Sequence, residues 1–150
     1  MTRRLFCLAC LALTASSLPA LAVARAEAVL YKNPQCPCCE LYADYLRQHG
    51  YRVEVEPSHD LMLIRRQNGV PEALDGCHTT LVGGYVVEGH VPVAAVHRLL
   101  DERPAIRGIS VPGMPAGSPG MYGEKEGPLT VYEIATSAAA NTTPKVFLVE

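Results

Sequence analysis

Apolar and polar side chains repeat with two different periods along the first part of the chain. Residues 28–31 form a short apolar run, typical of a buried strand. Residues 51–56 alternate apolar and polar at every step, as in a strand with one face on a core. Between these runs, apolar residues recur from Cys38 to Leu46 at the three- and four-residue spacing of one helical face. The pattern predicts strand, helix, strand, with Cys38 as the first residue of the buried helical stripe.

The following segment predicts a second helix, a hairpin and a third helix. Ser58 is placed to cap the second helix. Two β-prone runs in residues 79–87 are joined by Gly83-Gly84, a turn that tolerates positive φ. Pro92 opens a helical pattern that ends before Pro104. We therefore predict an α/β fold, a mixed sheet flanked by helices.

The pattern changes again in the C-terminal third. Of the 25 residues from 104 to 128, 11 are Gly or Pro, which forbids regular secondary structure across most of this segment. Met114 and Met121 lie between its stiff turns, so we predict a packed loop and not a flexible linker. Residues 129–134 and 146–149 predict a final pair of strands.

The first residues predict export. Arg3 and Arg4 precede a mainly apolar run, and small residues follow at positions that a signal peptidase reads. Polar residues interrupt the run, which falls short of the roughly 20 apolar residues that a spanning helix needs. We predict a signal peptide of residues 1–26 and a periplasmic protein that does not associate with the membrane after cleavage.

The charge of the remaining chain narrows the function classes. Without residues 1–26, ten of the 13 Lys and Arg remain against 15 Asp and Glu, so the formal net charge is −5. This balance excludes a strongly basic nucleic-acid binder. The length suffices for one domain, which we expect to be a monomer.

Three cysteines lie within four residues, directly after the first strand. They are Cys36, Cys38 and Cys39, and a fourth, Cys77, lies beside His78. Four cysteines in an exported protein ordinarily indicate two disulfides. A bond between adjacent Cys38 and Cys39 would be strained, however. The spacing therefore predicts thiolate chemistry, either redox exchange or binding of a soft metal.

Both chemistries stay open on the residues alone. Cys36 and Cys39 form a C-x-x-C pair at a helix N-terminus, where the dipole and free N–H groups favour a thiolate, as in thiol–disulfide oxidoreductases. Alternatively, all four cysteines bind metal. Adjacent cysteines suit a single tetrahedral zinc poorly, whereas thiolates that bridge several Cu(I) ions use them well, with methionine as a further soft ligand. A zinc or metal-storage module without redox activity is the third hypothesis.

The order of the elements, with a cysteine motif at the first strand-to-helix junction, resembles the thioredoxin fold. Thioredoxin-type oxidoreductases place a proline facing the C-x-x-C motif. This chain has Cys77-His78-Thr79 at that position. A sulfur in place of the substrate-docking proline favours metal binding over disulfide exchange.

Four motifs together resemble the exported copper-resistance proteins of the CopG family. The motifs are C-x-C-C at residues 36–39, Gly-Cys-His-Thr at 76–79, Gly-His-Val-Pro at 89–92, and the Gly/Pro/Met segment at 113–121. The resemblance implies a thioredoxin-like domain of residues 27–103, with a Gly/Pro/Met-rich C-terminal extension of residues 104–150 that packs on the metal site. It also implies several cysteine-bridged copper ions per chain and a role in copper resistance that includes Cu(I)/Cu(II) interconversion, that is, a copper oxidoreductase.

The same resemblance supplies a set of candidate ligands. The bridging thiolates would be those of Cys36, Cys38, Cys39 and Cys77. Met114 and Met121 are candidate outer ligands or a cover over the metal, and His78 and His90 are weaker candidates, since a histidine near a strand is more often a structural group. The implied partners are copper ions, together with periplasmic copper chaperones or efflux components.

Overall fold

The structure is a computed structural model that describes residues 24–137 and 143–150. Most of the predicted signal peptide lies outside the described residues. No helix in the described part of the chain is long and apolar enough to cross a membrane.

The predicted strands and helices are present in the predicted order, with one further strand, Gly108–Ser110, that was not predicted. Within the described residues the elements are β1 Glu27–Lys32, α1 Pro37–Gln48, β2 Arg52–Pro57, α2 Leu61–Gln67, β3 Thr79–Val82, β4 Tyr85–Glu88, α3 Val93–Glu102, β5 Gly108–Ser110, β6 Thr130–Ile134 and β7 Val146–Val149. The prediction of an α/β fold with a mixed sheet flanked by helices is confirmed.

The seven described strands form one sheet in the order β2-β1-β3-β4-β5-β6-β7. The pairs β1/β2 and β4/β5 are parallel, and a helix connects the two strands of each pair, as parallel neighbours require. β3 runs antiparallel to β1, with Tyr31 opposite Thr79. The C-terminal end of β1 and the N-terminal end of β3 therefore lie side by side at one end of the sheet. The cysteines lie at this end.

Helix α1 packs on the sheet with a face one residue away from the predicted one. Its buried residues are Cys39, Tyr42, Ala43 and Leu46. Cys38 is only half-buried and Leu41 is 39% exposed, so the prediction that Cys38 begins the buried stripe is wrong by one position. Adjacent cysteines are equally apolar, and the pattern alone could not fix the phase of the helix.

Helix α2 begins two residues later than the predicted cap implied. Asp60 is its N-cap, and the Asp60 carboxylate accepts a hydrogen bond from the Leu63 N–H at 3.2 Å. Ser58 instead accepts a hydrogen bond from the Asp60 N–H at 3.1 Å. Both residue types are common N-caps, so the choice depends on where the chain leaves β2.

The C-terminal part of the chain continues the same sheet. β5 lies inside the segment rich in Gly and Pro, where only three residues are extended. The predicted final strand pair is present, since β6 and β7 pair antiparallel. Residues 111–129 form an irregular excursion between β5 and β6.

Candidate metal centre

The C-x-C-C motif lies in the turn from β1 into α1. The Cys36 N–H donates to the Asn33 carbonyl at 3.0 Å, which closes the turn. Cys36 is the N-cap of α1, and Pro37 fills the first helical position, where no N–H is needed. Because three cysteines occupy one helical turn, their sulfur atoms lie close together around the helix N-terminus.

Cys77 lies in the bend two residues before β3 and contacts this turn. The Cys77 Sγ lies 3.3 Å from Cys36 Sγ, 3.5 Å from Cys38 Sγ and 3.4 Å from Cys39 Sγ. The structure thus brings the four predicted cysteines into one cluster that could hold a metal ion. Cys39 is buried and the other three are half-buried.

The cluster holds both a disulfide and two thiols. Cys36 and Cys39 are joined by a disulfide, with their Cα atoms 5.6 Å apart, and Cys38 and Cys77 are free. Addition of two electrons and two protons would release all four thiols. The site therefore has a pair capable of thiol–disulfide exchange beside a pair that remains available to metal.

Burial keeps the Cys77 thiol protonated in the absence of metal. It raises the pKa of Cys77 to about 12, and the neighbouring Cys38 adds to the shift. A soft cation could displace this proton, because a metal binds the thiolate.

Two buried imidazoles extend the cluster. His78 and His90 are fully buried, and their ring nitrogens could share a metal ion with Cys77 Sγ. His90 Nδ1 lies 2.8 Å from the Pro119 carbonyl oxygen. Among the described residues, His90 Nε2 and both ring nitrogens of His78 have no hydrogen-bond partner. Buried polar atoms usually have a hydrogen-bond partner, so the lack of one leaves these nitrogens available to bind a ligand.

The imidazoles are held in the neutral form that binds metal. Burial lowers the pKa of His78 well below its usual value, and the nearby His90 lowers it further. Burial also lowers the pKa of His90. A neutral imidazole has a lone pair on one ring nitrogen, which is the atom that a metal ion takes.

The side chain of Tyr42, on α1, packs against both imidazoles. Its ring centroid lies 4.5 Å from that of His78 and 5.5 Å from that of His90. The Tyr42 hydroxyl donates to the Val91 carbonyl at 2.8 Å, and burial raises its pKa well above the usual value. Sequence reasoning placed Tyr42 only in the helical stripe. Its spacing of three residues from Cys39 was the one available signal that it faces the site.

The C-terminal extension contacts the same helical turn. A Cβ on Gly120 would lie 2.7 Å from the Tyr42 backbone nitrogen and 3.1 Å from the Cys38 carbonyl oxygen, so this close approach requires glycine. Met121 follows directly and is half-buried, whereas Met114 is 60% exposed. Ligation by either methionine stays a prediction, and exposure makes Met114 the weaker candidate.

A buried lysine, which sequence reasoning did not assign to the site, supports the cysteine turn. Lys32 is 4% exposed at the end of β1. Its Nζ lies 3.0 Å from Glu40 Oε1 and 3.3 Å from the Pro34 carbonyl oxygen. It therefore joins the strand end to the first turn of α1.

Four clustered sulfurs and two neutral imidazoles lie at one end of the central strands of this α/β protein, an arrangement that could hold a soft metal or carry out thiol–disulfide exchange. A family model described as "Protein of unknown function, DUF411" matches residues 74–121. No curated protein sequence matches the chain. Two solved structures, Copper resistance protein copG in Form 2 and in Form 1, are each 31% identical to the chain and cover 83% of it.

The match extends over nearly the whole of those proteins, 98% of the Form 2 chain and 96% of the Form 1 chain, with TM-scores of 0.75 and 0.74. The chain belongs to the CopG family of copper resistance proteins, as its motifs predicted.

Proposed function

We propose that this protein binds several copper ions through bridging cysteine thiolates and serves copper resistance. The observation that carries the proposal is the convergence of four cysteine sulfurs, with Cys77 Sγ within 3.5 Å of the other three. The similarity to the copper resistance protein CopG supports copper as the metal.

The number of donors supports more than one ion. A single tetrahedral metal uses four ligands, whereas the site offers four sulfurs once the disulfide is reduced, together with two imidazoles that each have a ring nitrogen without a hydrogen-bond partner among the described residues. Thiolates can bridge two ions each, and soft sulfur favours Cu(I). His78 and His90 would complete the coordination of the ions nearest Cys77, and Met121 would cover them.

The disulfide supports a redox role. Two Cu(II) ions could oxidise the Cys36 and Cys39 thiolates, so that two electrons leave sulfur, the S–S bond forms and two Cu(I) ions result. Cys38 and Cys77 would then retain the Cu(I). An external dithiol would reduce the disulfide for another cycle. In this proposal the protein reduces Cu(II) and transfers the Cu(I) to an acceptor before the next cycle, and conversion of Cu(I) back to Cu(II) would require an external one-electron oxidant.

The cellular setting stays part of the proposal. A signal peptide of residues 1–26 would export the chain to the periplasm. Copper would pass between this monomer and chaperones or efflux components there. Residues 27–103 would form the thioredoxin-like domain, and residues 104–150 its cover over the metal.

A second candidate function is thiol–disulfide exchange. The observation that favours it is the Cys36–Cys39 disulfide at the N-terminus of α1, the arrangement that redox-active pairs use. The two free thiols, and the ring nitrogens of His78 and His90 that have no hydrogen-bond partner among the described residues, have no role in such a reaction, so this function ranks second.

The proposal is tested by the metal content and absorption spectrum of protein purified from copper-supplemented cells. We expect several copper ions per chain, with ultraviolet charge-transfer bands from Cu(I) thiolates and visible bands where Cu(II) is bound. Cys38→Ser should abolish copper loading and leave the far-ultraviolet circular dichroism unchanged, because Cys38 is half-buried and lies outside the disulfide. Met62→Leu, which removes a sulfur that is 67% exposed on α2, should load copper normally.

Two other results would each overturn the copper proposal. A redox-silent metal complex that contains no copper would identify a zinc or storage module. A metal-free protein that reduces insulin disulfides would identify a thiol–disulfide oxidoreductase. Full copper content in Cys38→Ser would remove the basis of the bridged site.

A further inference from the structure

A buried ion pair lies next to the peptide that precedes Cys77. Glu88, the last residue of β4, has a fully buried side chain, and the Arg65 side chain on α2 is 13% exposed. Arg65 Nε donates to Glu88 Oε1 at 2.8 Å. Neither Arg65 nor Glu88 can supply a sulfur or imidazole ligand to the site, so metal ligation does not explain why they lie beside the Cys77 segment.

The ion pair binds both backbone polar groups of Gly76. The Gly76 N–H donates to Glu88 Oε1 at 2.9 Å, and Arg65 Nη2 donates to the Gly76 carbonyl at 2.6 Å. On the other side of Cys77, the Thr79 hydroxyl donates to Glu88 Oε2 at 2.6 Å. The two charged side chains therefore fix the chain immediately before Cys77 and two residues after it.

Backbone packing holds the same segment from the opposite side. A Cβ on Gly76 would lie 2.6 Å from the Gly89 Cα, so the two glycines are in direct contact. The Gly89 N–H donates to the His78 carbonyl at 2.8 Å. Glycine has the greatest backbone freedom of all residues, and Gly76 directly precedes Cys77, a candidate ligand. The hydrogen bonds to Arg65 and Glu88 restrict the backbone of Gly76.

Stability alone is a weak reason for such a pair. A buried ion pair can often be replaced by apolar residues with no loss of stability, because desolvation offsets the attraction between the charges. The contact of this ion pair with the Gly76 peptide, directly before Cys77, is a better explanation for its presence. The planar guanidinium of Arg65 donates to Glu88 and to the Gly76 carbonyl at once, which a lysine ammonium on a flexible stem does less well.

We infer that Arg65 and Glu88 are positioning residues for Cys77. They orient the Gly76 peptide so that the Cys77 thiol faces the sulfurs of the C-x-C-C turn. The inference rests on the proposed metal site for its purpose, but the arrangement of thiols that it describes can be measured without copper.

The test uses phenylarsine oxide, a trivalent arsenical that two neighbouring thiols capture with release of one water molecule. In a chain that carries Cys36→Ser and Cys39→Ser, the remaining pair at the site is Cys38 and Cys77, whose sulfurs lie 3.5 Å apart. Peptide mass spectrometry locates the arsenic between these two residues and gives the fraction bridged at each concentration.

Three substitutions are compared in that background. Arg65→Lys keeps the positive charge without the planar fork, and Glu88→Gln keeps the shape without the negative charge. Val131→Ala is the matched control, because it removes buried methyl groups from β6. We expect capture to weaken about tenfold in Arg65→Lys and Glu88→Gln, since small displacements of a reacting group have large effects. Val131→Ala should lower the Tm and leave capture unchanged.

Unchanged capture in Arg65→Lys, together with a lowered Tm, would assign the pair to folding alone and overturn the inference. Arg65→Lys decides the question if Glu88→Gln does not fold. Failure of the background chain to bridge Cys38 and Cys77 would also overturn it, because the thiols would not be neighbours.

Copper binding by the unsubstituted chain is measured separately. If that chain binds no copper, the proposed function fails, whereas the arsenical result still decides whether Arg65 and Glu88 position Cys77. The two failures are therefore distinguishable.

Discussion

The two cysteine-bearing segments of the site are held in place by different means. The C-x-C-C turn depends on local backbone, with Cys36 as the N-cap of α1 and Pro37 in its first turn. The segment around Cys77 depends on distant residues, namely an ion pair from α2 and β4 and the close packing of two glycines. The first segment can therefore form from its own sequence, whereas the second exists only when the sheet and α2 have assembled.

The largest difference is expected between the two acidic residues that support these segments. Glu88→Ala leaves the Arg65 guanidinium buried without its partner and should lower the free energy of unfolding by about 3–5 kcal/mol. Glu40→Ala also leaves a cation without its carboxylate, since the Lys32 side chain is 5% exposed, but Lys32 Nζ keeps the Pro34 carbonyl oxygen at 3.3 Å and the Glu40 side chain is 52% exposed, so the loss should be smaller, about 1–2 kcal/mol. Urea denaturation of both variants measures the difference. Equal losses would show that the two segments are held alike.

A smaller difference is expected at the residue that directly precedes a cysteine in each segment. Gly76→Ala places a methyl group against the Gly89 backbone and should cost about 2 kcal/mol, because neither backbone can move aside freely. Pro37→Ala only loosens the unfolded chain and should cost about 0.5 kcal/mol. Thermal unfolding followed by circular dichroism compares them. A neutral Gly76→Ala would mean that the glycine contact does not constrain the Cys77 segment.

The third comparison concerns the contact between the two segments, where the expected loss is smaller than in Glu88→Ala and Gly76→Ala. Tyr42→Phe keeps the ring against His78 but removes the hydroxyl that donates to the Val91 carbonyl. The loss should be about 1 kcal/mol, the usual value for one buried hydrogen bond. Chemical denaturation measures it, and copper content should stay at the unsubstituted level, because Tyr42 supplies no ligand in the proposed site. Loss of copper in this variant would make Tyr42 part of the metal site.

The same contrast explains what the sequence could and could not predict. The C-x-C-C turn and its place after β1 were readable, because residue spacing and a short apolar run specify them locally. The order of the elements followed from periodicity, and the family from four motifs. The phase of α1 was wrong by one residue, since adjacent cysteines carry the same polarity.

The support behind Cys77 was not readable at all. Arg65 is one of two adjacent arginines on α2, and Glu88 is a charged residue at a strand end, which is ordinarily a solvated position. Arg65 and Glu88 are 23 residues apart in the sequence, and their pairing depends on how α2 packs against the sheet. The partnerless nitrogens of His78 were hidden for the same reason, because a sequence does not display burial.

The irregular segment from residue 111 to residue 129 begins and ends on adjacent strands, since β5 and β6 pair with Ser110 opposite Tyr132. A chain excursion between two fixed neighbouring points can lengthen at little cost, about 0.6 kcal/mol for each doubling of its length. Such a change in length would leave the pairing of β5 with β6 unchanged. Away from Gly120, which packs against the Cys38 turn, homologues could therefore vary this segment and change the side chains beside the candidate metal site while the four cysteines keep their positions.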